Sequence, residues 1–205
     1  METVLDVGLN PDSVEGLIRF TGNPRLAWDC YRRLIQGYAE VVKGLPAGPF
    51  EELVAQAVIA AGVGSDRDLD FRSLRQLTRE MTARFHDLAG EAFPLDPREQ
   101  LRNTAGAVFR SWDADKAASY RRLNGIDDAI GTAVTVQAMV FGNAGGESGS
   151  GVGFTRNPAS GERELYLDFR FNGQGEDVVA GRQRTEDHER LRRSLPAVWR
   201  QIEST

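Results

Sequence analysis

GTAVTVQAMVFGNAGGESGSGVGFT, residues 131–155, decides the fold. Its first eleven residues, Gly131 to Phe141, are mostly β-branched or small, and this composition predicts a strand. Gly142 to Gly151, GNAGGESGSG, holds five glycines in ten residues and predicts a loop. Val152 to Thr155 predicts a second strand, and Asn157-Pro158-Ala159-Ser160-Gly161 a turn. Beyond it Leu165, Leu167, Phe169 and Phe171 alternate with Tyr166, Asp168 and Arg170. That period of two puts the apolar set on a buried face and the polar set opposite.

Upstream of Gly131 the period is helical. Asn10-Pro11-Asp12-Ser13 opens a helix, with Asp12 or Ser13 as the expected cap. Leu26, Tyr31, Leu34, Ile35 and Tyr38 mark a second helix that stops at Gly44. Phe50, Leu53, Ala57 and Val58 mark a third, ended by Gly62. Leu74, Leu77, Met81 and Phe85 mark a fourth, ended near Gly90. Leu101, Ala105, Val108 and Phe109 mark a fifth, and Asp115 to Leu123 a short sixth. The fold class is therefore α+β, a mainly helical subdomain followed by a small antiparallel sheet. The expected organisation is a tail over 1–9, a helical subdomain over 10–97, connecting helices over 98–130 and a β-rich lobe over 131–185. A C-terminal helix over 186–205, interrupted at Pro196, completes it.

The net charge of −5 over 205 residues lacks the basic footprint of a nucleic-acid binder, so no nucleic-acid partner is expected. No run reaches the length of a membrane helix, so no membrane partner is expected either. METVLDVGLN is acidic and lacks an apolar core, unlike a secretory signal. Cys30 is the single cysteine, which excludes an internal disulfide framework and fits a cytoplasmic location. Lys43 and Lys116 are the only lysines and His86 and His188 the only histidines. Neither lysine sits in a glycine-rich phosphate loop, and no HExxH pair is present.

The loop is the most informative local feature. Two strands joined by GGESGSG make a flap, and bare backbone N–H groups at Gly149 and Gly151, with the hydroxyls of Ser148 and Ser150, suit phosphate oxygens. A simple hairpin connection explains the same glycines. Backbone groups along Gln137, Met139 and Val140 suit the edge of a purine, while Met139 in a core and Gln137 at the surface explain the same pattern. Glu176 and Asp177 are adjacent carboxylates in Asn172-Gly-Gln-Gly-Glu-Asp177, open to a metal or to a solvated tight turn. Arg182 and Arg184 can meet phosphate or simply lie exposed.

Longer stretches carry a family likeness. YRRLNGIDDAIGTAVTVQAMVFGN (120–143), SGSGVGFTRNPASGE (148–162) and FNGQGEDVVAG (171–181) resemble the pyruvate, phosphate dikinase family. GLNPDSVEGL (8–17), TGNPRLAWDCYRRLIQGY (21–38), FPLDPREQL (93–101) and AVFRSWDADKAASYRRLN (107–124) follow in the same order. The resemblance implies the central and later part of an ATP-grasp-like nucleotide-binding domain. In the family that domain, with magnesium, phosphorylates a histidine of a swivelling domain, and a barrel then handles pyruvate. ATP, phosphate and pyruvate become AMP, pyrophosphate and phosphoenolpyruvate. It implies Gln137, Met139 and Val140 on the adenine side and Gly149, Ser150 and Gly151 at the phosphates.

The family's phosphate lysine and an arginine lie before the matching region, and its acidic metal motif and Gln-x-Arg motif after it. No catalytic residue and no metal ligand are therefore assigned within this chain. The implied role is a nucleotide-binding piece, inactive alone, with a companion chain supplying the rest. The competing role is a non-catalytic interaction module or relic that keeps the fold. Leu167-Asp168 replaces the family's Gly-Glu, Gly173 its Ala, and Arg182 to Glu186 its Ile-Arg-Thr-Pro.

Overall fold

The computed structural model describes residues 3–179 and 188–204. The chain divides into two compact units, Met1–Met139 and Val140–Thr205. The first is helical: α1 (Pro11–Thr21), α2 (Pro24–Val41), α3 (Gly48–Ala61), α4 (Phe71–Ala89), α5 (Pro97–Arg110) and α6 (Asp115–Leu123). The second holds β1 (Gly149–Phe154), β2 (Tyr166–Phe171), α7 (Gly175–Val179), α8 (His188–Ser194) and α9 (Pro196–Ser204). The α+β class is as expected.

The helices start and stop where local chemistry dictates. Asn10, not Asp12 or Ser13, caps α1. Its side chain accepts from the Ser13 N–H at 2.8 Å, and Ser13 Oγ accepts from the Asn10 N–H at 2.8 Å. Pro11 forces this choice, because a residue without an N–H fits best at the first helical position. Gly22, Gly62 and Gly90 close α1, α3 and α4 in the left-handed region, with φ of 68°, 66° and 72°.

Helix α2 is the axis of the first unit. Leu34, Ile35, Tyr38 and Ala39 are wholly buried, and Phe50, Leu74, Leu77, Met81 and Phe85 from α3 and α4 join the same core. Tyr38, Phe85 and Phe93 form an edge-on aromatic cluster, with Phe85 and Phe93 centroids 5.4 Å apart and Tyr38 and Phe93 5.3 Å apart. Cys30 is buried, as its aromatic surroundings suggest. Two charged residues of α2, Asp29 and Arg32, are also buried. Arg32 Nε donates to Asp29 Oδ1 at 2.9 Å, and its guanidinium reaches Asp66 Oδ2 at 2.6 Å. This pairs α2 with the 3-10 turn Asp66–Asp68. Gln100, wholly buried, accepts from the Gly8 N–H and donates to the carbonyls of Leu9 and Pro94, fastening the N-terminal segment to α5.

The predicted strand over 131–141 does not form. These residues carry no ladder, and Val136 and Val140 are 69% and 92% exposed. β-branched residues favour strands only where a pleated face is paired and buried. Here β1 pairs with β2, and the described residues offer no other strand. The sheet is antiparallel, from Gly149 opposite Phe171 to Phe154 opposite Tyr166. Its first strand starts at Gly149 rather than Val152, so the last three residues of the predicted loop are strand.

Two tests follow from the helical core. Phe85→Ala removes a wholly buried ring and should cost about 3–5 kcal/mol in urea unfolding. Burial pushes the Tyr31 hydroxyl up to about 12, against about 10 in an unfolded chain. The folded state then holds its proton longer, so stability falls as pH rises from about 10 to 12. Tyr31→Phe should flatten that decline in chemical denaturation at stepped pH.

Candidate functional site

The hairpin unit is built on a size mismatch between its two strands. Gly149, Gly151 and Gly153 fall on one face of β1, across from Phe171, Phe169 and Leu167. A Cβ on Gly149 would run into the Phe169 ring, and one on Gly151 would sit 3.1 Å from Phe169 Cδ2 and 2.9 Å from the Asp168 carbonyl. Phe169 thus leans across bare backbone. It meets Phe171 edge-on at 4.9 Å, and Leu167, Phe169 and Phe171 pack with Leu191 and Trp199 of α8 and α9. Ile202, partly buried, packs against this cluster. The alternate glycines therefore have a packing reason of their own.

Arg170, on the face opposite the apolar set as its alternation predicts, is 2% exposed. Ser150 stands across from it in register. Asn143 and Gln174 are buried polar residues of the same unit.

Residues 142–148 form a tied connection. Ser148 Oγ donates to the carbonyls of Gly142 and Gly145 at 3.0 and 2.8 Å. The Gly145 N–H donates to Asn172 Oδ1 at 3.0 Å, and the Asn172 N–H to the Ser148 carbonyl at 2.8 Å. Asn172 takes a left-handed φ of 49°, which asparagine tolerates. Gly145 and Gly146 have φ of 86° and 55°, the backbone freedom for which glycine is needed there. Ala144, Gly146 and Glu147 are exposed at the tip. A ten-residue cover was expected; the geometry leaves a short tip on a fastened base.

The six candidate residues divide between the units. Gln137 and Met139 lie in the first, exposed and half-buried, on the unpaired extended segment. Val140, Gly149, Ser150 and Gly151 lie in the second. Asp177 Oδ2 accepts from the Gln174 N–H at 3.0 Å, capping the turn into α7. Among the described residues, no three histidines, cysteines or carboxylates converge on a metal position. Arg182 and Arg184 fall outside the described residues. Lys43 pairs with Glu91, and Lys116 is exposed on α6, so both lysines belong to the first unit. An open cleft of roughly 440 Å³ in that unit is lined by Glu40, Lys43, Arg110 and Ser111, and none of the six candidates lines it. No described helix is long and apolar enough to cross a membrane. Sequence reasoning missed Asn172 and Arg170. A lone asparagine before Gly173, where a strand must turn, was the available signal for the first.

These features define an α+β chain whose glycine-crossed hairpin carries a backbone-rich loop. The chain matches the family described as pyruvate phosphate dikinase, AMP/ATP-binding domain, over residues 1–205. The pyruvate, phosphate dikinase of Clostridium symbiosum is 45% identical over 203 residues, covering 98% of this chain and 23% of that protein. The chloroplastic pyruvate, phosphate dikinase of Mesembryanthemum crystallinum and pyruvate, phosphate dikinase 1 of Arabidopsis thaliana are each 43% identical over 202 residues, covering 98% of this chain and 21% of theirs. This chain belongs to the pyruvate phosphate dikinase AMP/ATP-binding domain family, and it spans 21–23% of the length of these relatives.

Gly149→Ala, which forces a methyl group against Phe169, should destabilise the protein by roughly 1–3 kcal/mol. Combining it with Phe169→Leu should recover part of the loss. Thermal unfolding of both variants checks this, and strictly additive losses would contradict it.

Proposed function

We propose that this chain binds an adenine nucleotide, ATP or AMP, as part of a pyruvate, phosphate dikinase-type domain, and does not turn over ATP by itself. The observation that carries this reading is the family match over the whole chain, on a loop built of backbone N–H groups. Gln137, Met139 and Val140 take the adenine side, with extended backbone free of ladder pairing. Gly149, Ser150 and Gly151, with the tip before them, take the phosphates. Oriented N–H groups in a glycine-rich turn form an anion-binding concavity without a charged side chain.

Chemistry asks for more than binding. Phosphoryl transfer needs cations on the phosphates and an acceptor in line. Lys43 is already paired with Glu91 in the first unit. The described carboxylates form no metal cage. The cation and metal ligands then come from outside residues 1–205, and the assembly works in the cytoplasm. Removing one such electrostatic partner commonly costs on the order of 10²–10³ in rate.

Calorimetric titration with ATP and AMP, with and without magnesium, should show weak binding that Gly146→Pro at the loop tip reduces. Incubation with ATP, magnesium, phosphate and pyruvate should yield no AMP. Absence of nucleotide binding would refute the reading. AMP formation by the isolated chain would refute its second half.

A further inference from the structure

The hydrogen bonds that fasten the 142–148 loop end on residues 172 and 148, and something must hold residue 172. The structure assigns that work to Arg170. Its side chain is buried on the polar face of β2. The stem of Arg170 occupies the space that a side chain on Gly173 would need: a Cβ there would lie 2.9 Å from Arg170 Cδ and 3.3 Å from Cγ and Nε. The carbonyl of Gly173 in turn borders Gly142, so closely that a Cβ on Gly142 would overlap it. Ser150 Oγ, across the ladder from Arg170, closes on Gly142 from β1. Arg170, Gly173, Gly142 and Ser150 are thus one packed stack at the foot of the loop. Between the first two lies Asn172, whose left-handed backbone aims Oδ1 at the Gly145 N–H.

Arg170 is therefore a positioning residue. It fixes the Asn172–Gly173 turn, and that turn sets where the loop's N–H groups point. Gly173 has no side chain because the Arg170 stem fills the place. The ligand class follows from the loop: an anion with several phosphate oxygens, such as a nucleoside triphosphate, feels the change, and an uncharged nucleoside does not. For that nucleotide half, the inference rests on the function proposed above.

The test uses the full chain with Arg170→Ala, which removes the stem, Arg170→Met, which keeps most of it, and Gly173→Ala, which crowds the stem without removing it. Hydrogen exchange is followed at the amides of Gly145 and Ser148 and at those of β2, without nucleotide. Affinities for ATP and adenosine are measured in parallel. Arg170→Ala should speed exchange at Gly145 and Ser148 about tenfold while β2 amides keep their rates. It should weaken ATP about tenfold and adenosine less than about twofold, and Arg170→Met should recover part of both effects. Gly173→Ala should act in the same direction as Arg170→Ala and decides the matter if Arg170→Ala fails to fold. Unchanged loop exchange in both Arg170→Ala and Gly173→Ala overturns the inference, as does exchange that rises equally in loop and strand. If the unaltered chain binds neither ATP nor adenosine, the nucleotide reading fails, and loop exchange alone decides the role of Arg170.

Discussion

The ring of Phe169 lies over the backbone of Gly149 and Gly151, where no side chain can stand. Much of the second unit depends on this contact. It demands glycine at alternate positions of β1, and it brings Phe169 and Phe171 edge-on into the cluster with Leu191 and Trp199. It also fixes which face of the hairpin is apolar. A slip of one residue would set the phenylalanines against Ser150 and Val152 and turn Arg170 into the apolar cluster, so burial specifies the register strongly. With that register set, Arg170 falls opposite Ser150, and Asn172 reaches the loop.

The helical unit answers to a different constraint. Helix α2 buries charged as well as apolar residues, and Asp29 and Arg32 are tolerated because each meets an opposite charge. Removing one partner would strand the other in a region of low dielectric, so such a pair specifies geometry more than it adds net stability. The pair commits α2 to the Asp66–Asp68 turn and so to the start of α4. The aromatic cluster of Tyr38, Phe85 and Phe93 then fills the interior.

The helices were legible because their signals are local. Pro97 after Asp96, Gly62 after Ala61 and Gly90 after Ala89 work through the φ angle and hydrogen bonds of their own few residues. Asp115–Leu123 fell where its pattern put it. The strand over 131–141 was misread because strand formation is settled by a partner elsewhere in space, and Val136 and Val140 lack one among the described residues. The burial of Arg170 was not legible for a related reason: alternation says which face a residue takes, not what covers that face. The glycines of β1 were read as an approach for phosphate, since a sequence does not reveal which large residue lies across the ladder. The likeness to the dikinase family was legible in extended motifs, and residues 1–205 match it. Of the purine and phosphate residues named from it, Gln137 and Met139 belong to one unit, and Val140 and the loop to the other.

The central claim is that the loop before β1 is an anion-binding element fastened at its foot. Backbone amide chemical shifts, followed by NMR during titration with ATP, test it most directly. The account predicts that the largest shifts fall on Ala144 to Ser148, with smaller ones on Gly149 to Gly151 and little change along α2 to α5. Shifts concentrated on Lys43, Gly44 and Arg110 in the cleft of the helical unit, with the loop silent, would contradict it.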